Sequence, residues 1–308
     1  MITISVNKRP VARFAGILVI LLTVSSFIPA SFQAKEPKPY HLLKGYNIRT
    51  PDETWILPPQ LHEISGIAIS DPQTVACIQD ENGYIFFYDL LKKRIKNSVI
   101  FQGNGDFEDI AKVKEEYFVL RSDRILFQVS ISGAQASAKS VPLTSIPYKN
   151  LEGLWYDQKN NRLLIVPKDG AEKDKTEKGR HPVYGYDLLK KQLLPSPVYS
   201  FDLKTIRKFA TDNKVVVNKN DDDHKYDISF TPSAIAIHPL TGRIYVVSGS
   251  EWLIFVFSPA GIIESITVLD RDLFTQPEGI AFFSSGDMLI SNEGDKKQPT
   301  ILRFKYLK

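Results

Sequence analysis

From about residue 60 onward the chain alternates short apolar runs with polar turns, and one six-residue phrase keeps returning. It reads Glu63-Ile-Ser-Gly-Ile-Ala68, Asp106-Phe-Glu-Asp-Ile-Ala111, Asn150-Leu-Glu-Gly-Leu-Trp155, Thr231-Pro-Ser-Ala-Ile-Ala236 and Gln276-Pro-Glu-Gly-Ile-Ala281. Measured at the fourth residue of each copy (Gly66, Asp109, Gly153, Ala234, Gly279), the steps are 43, 44, 81 and 45 residues. After each copy comes a turn and an apolar strand: TVACIQD, YFVLRSD, RLLIVPKD, RIYVVSGS, DMLISNE. A third strand follows, often aromatic: YIFFYDL, ILFQVS, VYGYDL, LIFVFS, ILRFKY. Runs of this length between Asp, Asn and Gly turns, without helical periodicity, predict an all-β fold.

A repeat near 44 residues built from three or four strands has the size of one blade of a β-propeller. Five blades are expected, with six as the alternative if the 81-residue step hides one more. The stretch left over in that step, residues 203–227, lacks the phrase and reads as an insertion, a short helix followed by a polar loop. Residues 46–57 (YNIRTPDETWIL) are expected to supply the outer strand of the last blade, because a ring closed in this way leaves no exposed sheet edge. The propeller is thus assigned to residues 46–308, preceded by a linker at 35–45.

Residues 1–34 differ from the rest. Three cations (Lys8, Arg9, Arg13) and no acid precede the apolar run AGILVILLTVSSFIPA, the layout of a secretory signal or N-terminal anchor. That run is short beside the roughly 20 residues a free-standing transmembrane helix needs. The domain is therefore expected outside the cytoplasm, released or tethered, with membrane contact through residues 14–30 alone. Removing the segment takes the net charge from +4 to +1, which argues against nucleic acid as a partner. The one cysteine, Cys77, excludes an intramolecular disulfide and a Cys-rich zinc site, and its place in an apolar strand makes it a packing residue.

The third residue of each phrase occupies one equivalent position per blade: Ser65, Glu108, Glu152, Ser233 and Glu278. Innermost strands line a propeller's channel, so Glu108, Glu152 and Glu278 are brought towards one axis, where gathered like charges need a cation, donors or a proton. Two readings stand side by side: each Glu accepts backbone N–H groups of the next blade, or the three bind a metal. With oxygen ligands and no His or Cys, that metal is Ca2+ ahead of Mg2+. The second strands end in polar turns (Asp80-Glu81-Asn82, Ser122-Asp123, Lys168-Asp169, Ser248 to Glu251, Asn292-Glu293) that are expected to crowd the same end of the channel. Lys168, Arg121 and Arg124 would add positive charge there, giving a mixed mouth suited to a small anionic ligand held through a metal.

The run NKNDDD at residues 218–223, followed by His224, lacks the glycine and downstream Glu of an EF-hand and reads as a solvated loop. Residues 171–181 read as an exposed excursion. No nucleophile elbow, H-E-x-x-H, P-loop or G-x-G-x-x-G is present. The histidines are scattered, His238 falling in a turn, and the tryptophans read as packing between blades.

Taken together, LHEISGIAI with CIQDENGYIFFYDL, GDFEDIA with YFVLRSD, NLEGLWYD with NRLLIVPKDG, SAIAIHPLTGRIYVVS and QPEGIAF resemble the SdiA-regulated (YjiK-like) β-propeller family of bacteria. The resemblance spans about residues 60–306. It implies an envelope propeller linked to calcium, with Glu108, Glu152 and Glu278 at the family's acidic blade-start positions. The functional expectation is a calcium-linked binding protein, without catalysis, that meets a protein partner or a small anionic ligand. The alternative is a metal-dependent hydrolase, phytase-like or gluconolactonase-like.

Overall fold

The computed structural model describes residues 43–168, 179–217, 226–294 and 297–307. Residues 1–34, expected to direct export, most of the linker, residues 171–178, Asp169, and the 218–223 run with its following histidine lie outside the described residues.

Five antiparallel sheets form the five blades of a β-propeller. Strand β1 (Glu53–Ile56) comes first in the chain but completes the last blade. Blade one contains β2 (Ile64–Asp71), β3 (Thr74–Gln79), β4 (Asn82–Asp89) and β5 (Arg94–Asn104). Blade two contains β6 (Phe107–Val113), β7 (Glu116–Arg121), β8 (Ile125–Ser132) and β9 (Gln135–Pro142). In blade three, β10 (Leu151–Asp157), β11 (Arg162–Pro167) and β12 (Arg180–Asp187) share an outer edge divided between β13 (Gln192–Leu193) and β14 (Tyr199–Asp202). Blade four contains β15 (Ala234–Ile237), β16 (Ile244–Ser248), β17 (Leu253–Phe257) and β18 (Ile263–Val268). Blade five contains β19 (Pro277–Phe282), β20 (Met288–Asn292) and β21 (Thr300–Phe304), and β1 pairs with β21 in the register Glu53↔Arg303 to Ile56↔Thr300.

Each blade is apolar on both faces because each face meets a neighbouring blade. The buried side chains accordingly fall into five clusters, one per interface between blades. The interface between blades five and one joins Trp55, Ile64, Cys77 and Tyr88 to Ala281, Leu289 and Ile301. Trp55, 2% exposed, also donates its indole N–H to the Leu90 carbonyl at 2.8 Å, so β1 holds blade five to blade one. Cys77 is fully buried there, as its strand position suggested.

The long step between the third and fourth phrases holds helix α1 (Leu203–Asp212) instead of a sixth blade. Asp202 caps it, accepting the Thr205 N–H at 3.0 Å, and Leu203, Ile206 and Ala210 bury its apolar stripe against the interface of blades three and four. Packing begins slightly before residue 46: Leu43 is buried between blades four and five.

Candidate functional site

The innermost strands β2, β6, β10, β15 and β19 adjoin one another in a closed circuit. Their crowding explains the small residues of the repeat. A Cβ on Gly279 would stand 2.7 Å from the Ser65 carbonyl oxygen, so the backbones approach too closely there for a side chain.

The glutamate before this small position is treated differently. In blade two the ladder passes from Phe107↔Arg121 directly to Asp109↔Leu120, in blade three from Leu151↔Pro167 to Gly153↔Val166, and in blade five from Pro277↔Asn292 to Gly279↔Ser291. Glu108, Glu152 and Glu278 are therefore each the extra residue of a β-bulge. A bulge frees one residue from pairing and re-aims its side chain, and here it turns three carboxylates to the channel.

The polar turns lie at the same end. Backbone N–H groups of Asp80, Ser122, Lys168 and Glu293 donate to the carbonyls of Glu63, Asp106, Asn150 and Gln276, which ties each second-strand end to the start of its inner strand. The mouth so formed is a circuit of mutually repelling acids. Asp80 is pushed upward by burial and by Glu63, Glu81 and Asp106. Burial, Glu152 and Asp106 hold the Glu108 carboxyl far above the ordinary carboxylate range, and Glu108 and Glu152 hydrogen-bond to each other. Glu278 is pushed up to about 7 by burial and by Glu152, against the lowering effect of its bond with the Ser233 hydroxyl. Glu293 is pushed up to about 8 by burial, Glu278, Asp80 and Glu63. Blade four breaks the circuit with hydroxyls: Ser233 accepts the Gly249 N–H at 3.1 Å, and Thr231 bonds both Ser248 and Ser250 at 2.9 Å.

At the centre stands Lys168. Its Nζ lies 3.1 Å from Glu152 Oε1, and it also acts on Glu278, Glu108 and Glu293. Arg121 is instead engaged by Asp123 through two bonds of 2.7 and 2.9 Å, and Arg124 reaches the Ile146 carbonyl. Among the described residues the mouth is thus acidic around one lysine rather than evenly mixed, because the two arginines are turned to other partners.

Backbone acceptance across blades, one reading offered for the glutamates, is performed by their neighbour. Asp109 stands where other blades have Gly or Ala, and its buried carboxylate accepts Ile110 N–H at 2.8 Å and Leu154 N–H at 2.7 Å. The sequence assigned Asp109 no role beyond marking the repeat. His238, read from the sequence as falling in a turn, is fully buried, and its Nδ1 accepts the N–H groups of Leu240 and Thr241, each at 3.2 Å.

Chemically, the mouth offers oxygen acceptors, one ammonium group and carboxyls that hold protons near neutrality. Among the described residues no three Asp, Glu, His or Cys side chains stand together closely enough to chelate one ion. No family model matches the chain, nor does any curated protein sequence. Among solved structures, a glutaminyl cyclase from Myxococcus xanthus is similar at TM-score 0.55 and 11% identity, over 84% of this chain and 97% of its own. A luciferin-regenerating enzyme aligns over 80% of this chain and 92% of its own at 11% identity and TM-score 0.48. A streptogramin B lyase aligns over 83% and 73% at 13% identity and TM-score 0.42. At such identities the likeness to the cyclase is one of fold alone, and what it establishes is that this chain is a five-bladed β-propeller.

Proposed function

We propose that the chain is an exported or membrane-tethered envelope propeller of the SdiA-regulated type, whose channel mouth binds a hard divalent cation, Ca2+ ahead of Mg2+, in a non-catalytic binding role. The observation that carries this reading is the circuit of carboxylates re-aimed by three bulges around the ammonium of Lys168. The donor chemistry suits such an ion, being all oxygen, and Asp80 Oδ1 is buried without a hydrogen-bond partner; the carboxylates stand too far apart to chelate it as they are and would have to draw together on binding. Glu108, Glu152 and Glu278 would hold the ion, with Glu293 and Asp80 beside them. Bound there, it would supply the positive charge that shared protons and Lys168 supply in its absence. A small anionic ligand would meet this acidic mouth through the ion, and a protein partner through the surrounding turns. Export rests on the basic flank and apolar run of residues 1–34.

The experiment is thermal unfolding in EGTA, then with Ca2+ or Mg2+. An ion that binds the native state at 100 times its Kd adds about 2.7 kcal/mol. The reading expects a rise with Ca2+, little with Mg2+, and none in the Glu108/Glu152/Glu278 triple Gln variant. An unchanged melting temperature in wild type overturns it.

One observation favours a second reading, the metal-dependent hydrolase. Glu108 retains its proton while its partner Glu152 faces a lysine, and a carboxyl pair in unlike environments can act as acid and base. Ca2+-dependent turnover of a phosphate ester or lactone, abolished in Glu152→Gln, would establish it.

A further inference from the structure

On blade one, sharing Glu63 and Glu81 with the rim of the mouth, lies an open cavity of about 570 Å³, within the roughly 300–1,000 Å³ of small-molecule sites. One wall is aromatic. Tyr84 and Phe86, two apart on β4, share a face, their rings stacked at 5.6 Å and 25°; Phe86 is buried in the interface of blades five and one, and the half-buried Tyr84 packs against it. The polar wall comes from the β3–β4 turn and the residue before β2: Gln79, Glu81, Asn82 and Glu63.

Gln79 is the decisive member. It is 9% exposed, and its Oε1 accepts the N–H groups of Glu81 and Asn82 at 2.5 and 2.8 Å. The amide is thereby held through its oxygen, which leaves Nε2 as the donor Gln79 can offer to the cavity it lines. A half-buried tyrosine, an oriented donor and two acceptor-only carboxylates face one space.

The ligand must match all of these at once. An organic ammonium would satisfy the carboxylates and the aromatic faces but would offer nothing to Gln79 Nε2. A phosphate or carboxylate would take that donor but meet the charges of Glu63 and Glu81. A hydroxyl both donates and accepts, and a pyranose ring carries several hydroxyls at its edge with an apolar C–H face to lay on an aromatic ring. We propose that this cavity binds a saccharide through one pyranose ring, with Tyr84 under the sugar face, Gln79 Nε2 and Asn82 donating to its hydroxyls, and Glu63 and Glu81 accepting from them. The site borders the mouth at Glu63 and Glu81 but uses none of the three bulge glutamates, so it stands without the cation reading.

The test is saturation-transfer NMR and calorimetry on the full-length chain with cellobiose, maltose and N,N′-diacetylchitobiose, and with 1,4-diaminobutane as the cationic control. At least one disaccharide is expected to bind with a Kd on the order of millimolar, about −4 kcal/mol, with saturation strongest at ring C–H protons. Tyr84→Ala should weaken it at least about tenfold, as should Asn82→Ala, a smaller truncation at the half-buried head of β4. Melting curves show that each variant is folded, and Leu189→Ala, at an exposed position of blade three, should bind as wild type does. Absence of binding by all three sugars, binding indifferent to both Tyr84→Ala and Asn82→Ala, or capture of diaminobutane in their place overturns the proposal.

Discussion

Asp109 of blade two accepts the backbone N–H of Leu154 in blade three at 2.7 Å, so a single carboxylate joins two inner strands whose residues lie 45 positions apart. It holds its own Ile110 N–H as well, and burial drives its pKa well above the ordinary carboxylate range. Leaving a buried donor unmet costs about 1–3 kcal/mol. Asp109→Ala should therefore lower stability by about 2–4 kcal/mol, since two N–H groups lose their acceptor together. Asp109→Asn should cost less, because one acceptor oxygen remains. Denaturant titration of the two variants measures the difference.

The channel glutamates should behave in the opposite way. An acid whose folded pKa is raised binds more protons in the native state than in the unfolded one, so its contribution is favourable at low pH and fades as pH rises from about 4.5 through the folded value. For Glu278 and Glu293 that window closes near 7 and 8. Glu108→Gln in EGTA at pH 8 should raise stability by about 1 kcal/mol, or about 2–4 °C in Tm. At pH 4 the gain should vanish. Differential scanning calorimetry at both pH values decides it, and a fall in Tm at pH 8 would count against mutual repulsion at the mouth.

His238 supplies a second pH dependence of opposite sign. Burial and Arg243 lower its pKa, and two backbone N–H groups claim Nδ1, so the native ring is neutral. The unfolded chain takes up a proton near pH 6.5 and the folded one resists, so this contribution is lost as pH falls below 6.5. His238→Asn keeps an acceptor for the turn and removes the titration. Between pH 6.5 and 5 the stability of wild type relative to this variant should decline, and NMR of the imidazole should show it neutral below pH 6.5.

Trp55→Ala should be the most damaging change in the closing strand. It removes a fully packed indole and its bond to Leu90, and truncations of this size cost about 3–5 kcal/mol. Increased proteolysis of blade five under native conditions would report it.

The sequence revealed strands in proportion to how deeply they are buried. Inner, second and third strands are apolar on both faces and could be read directly, as TVACIQ and LIFVF show. Strand β9, QASAKSVP, has no buried residue and takes its conformation from pairing with β8, so its composition carried no signal. The glutamates of the mouth could be found from the repeat. Their bulges could not, because a bulge is a property of register between two strands rather than of either alone. The role of Asp109 could not be read because its donor partner lies in the next blade, and Arg121 was misjudged because a partner two residues away claims it.

The pairing of β1 with β21 has one more consequence. Blade five is assembled from both ends of the domain, and the Leu307 N–H reaches the Gly45 carbonyl at 2.8 Å, so start and finish lie side by side. The seam of the ring is made of hydrogen bonds within one blade, so the chain's entry and exit interrupt none of the five packed interfaces between blades. A chain rewired to begin in another blade, its present ends joined by a short linker, should fold to the same circle. For such a molecule the point of entry is a matter of gene order, while the geometry is that of a loop.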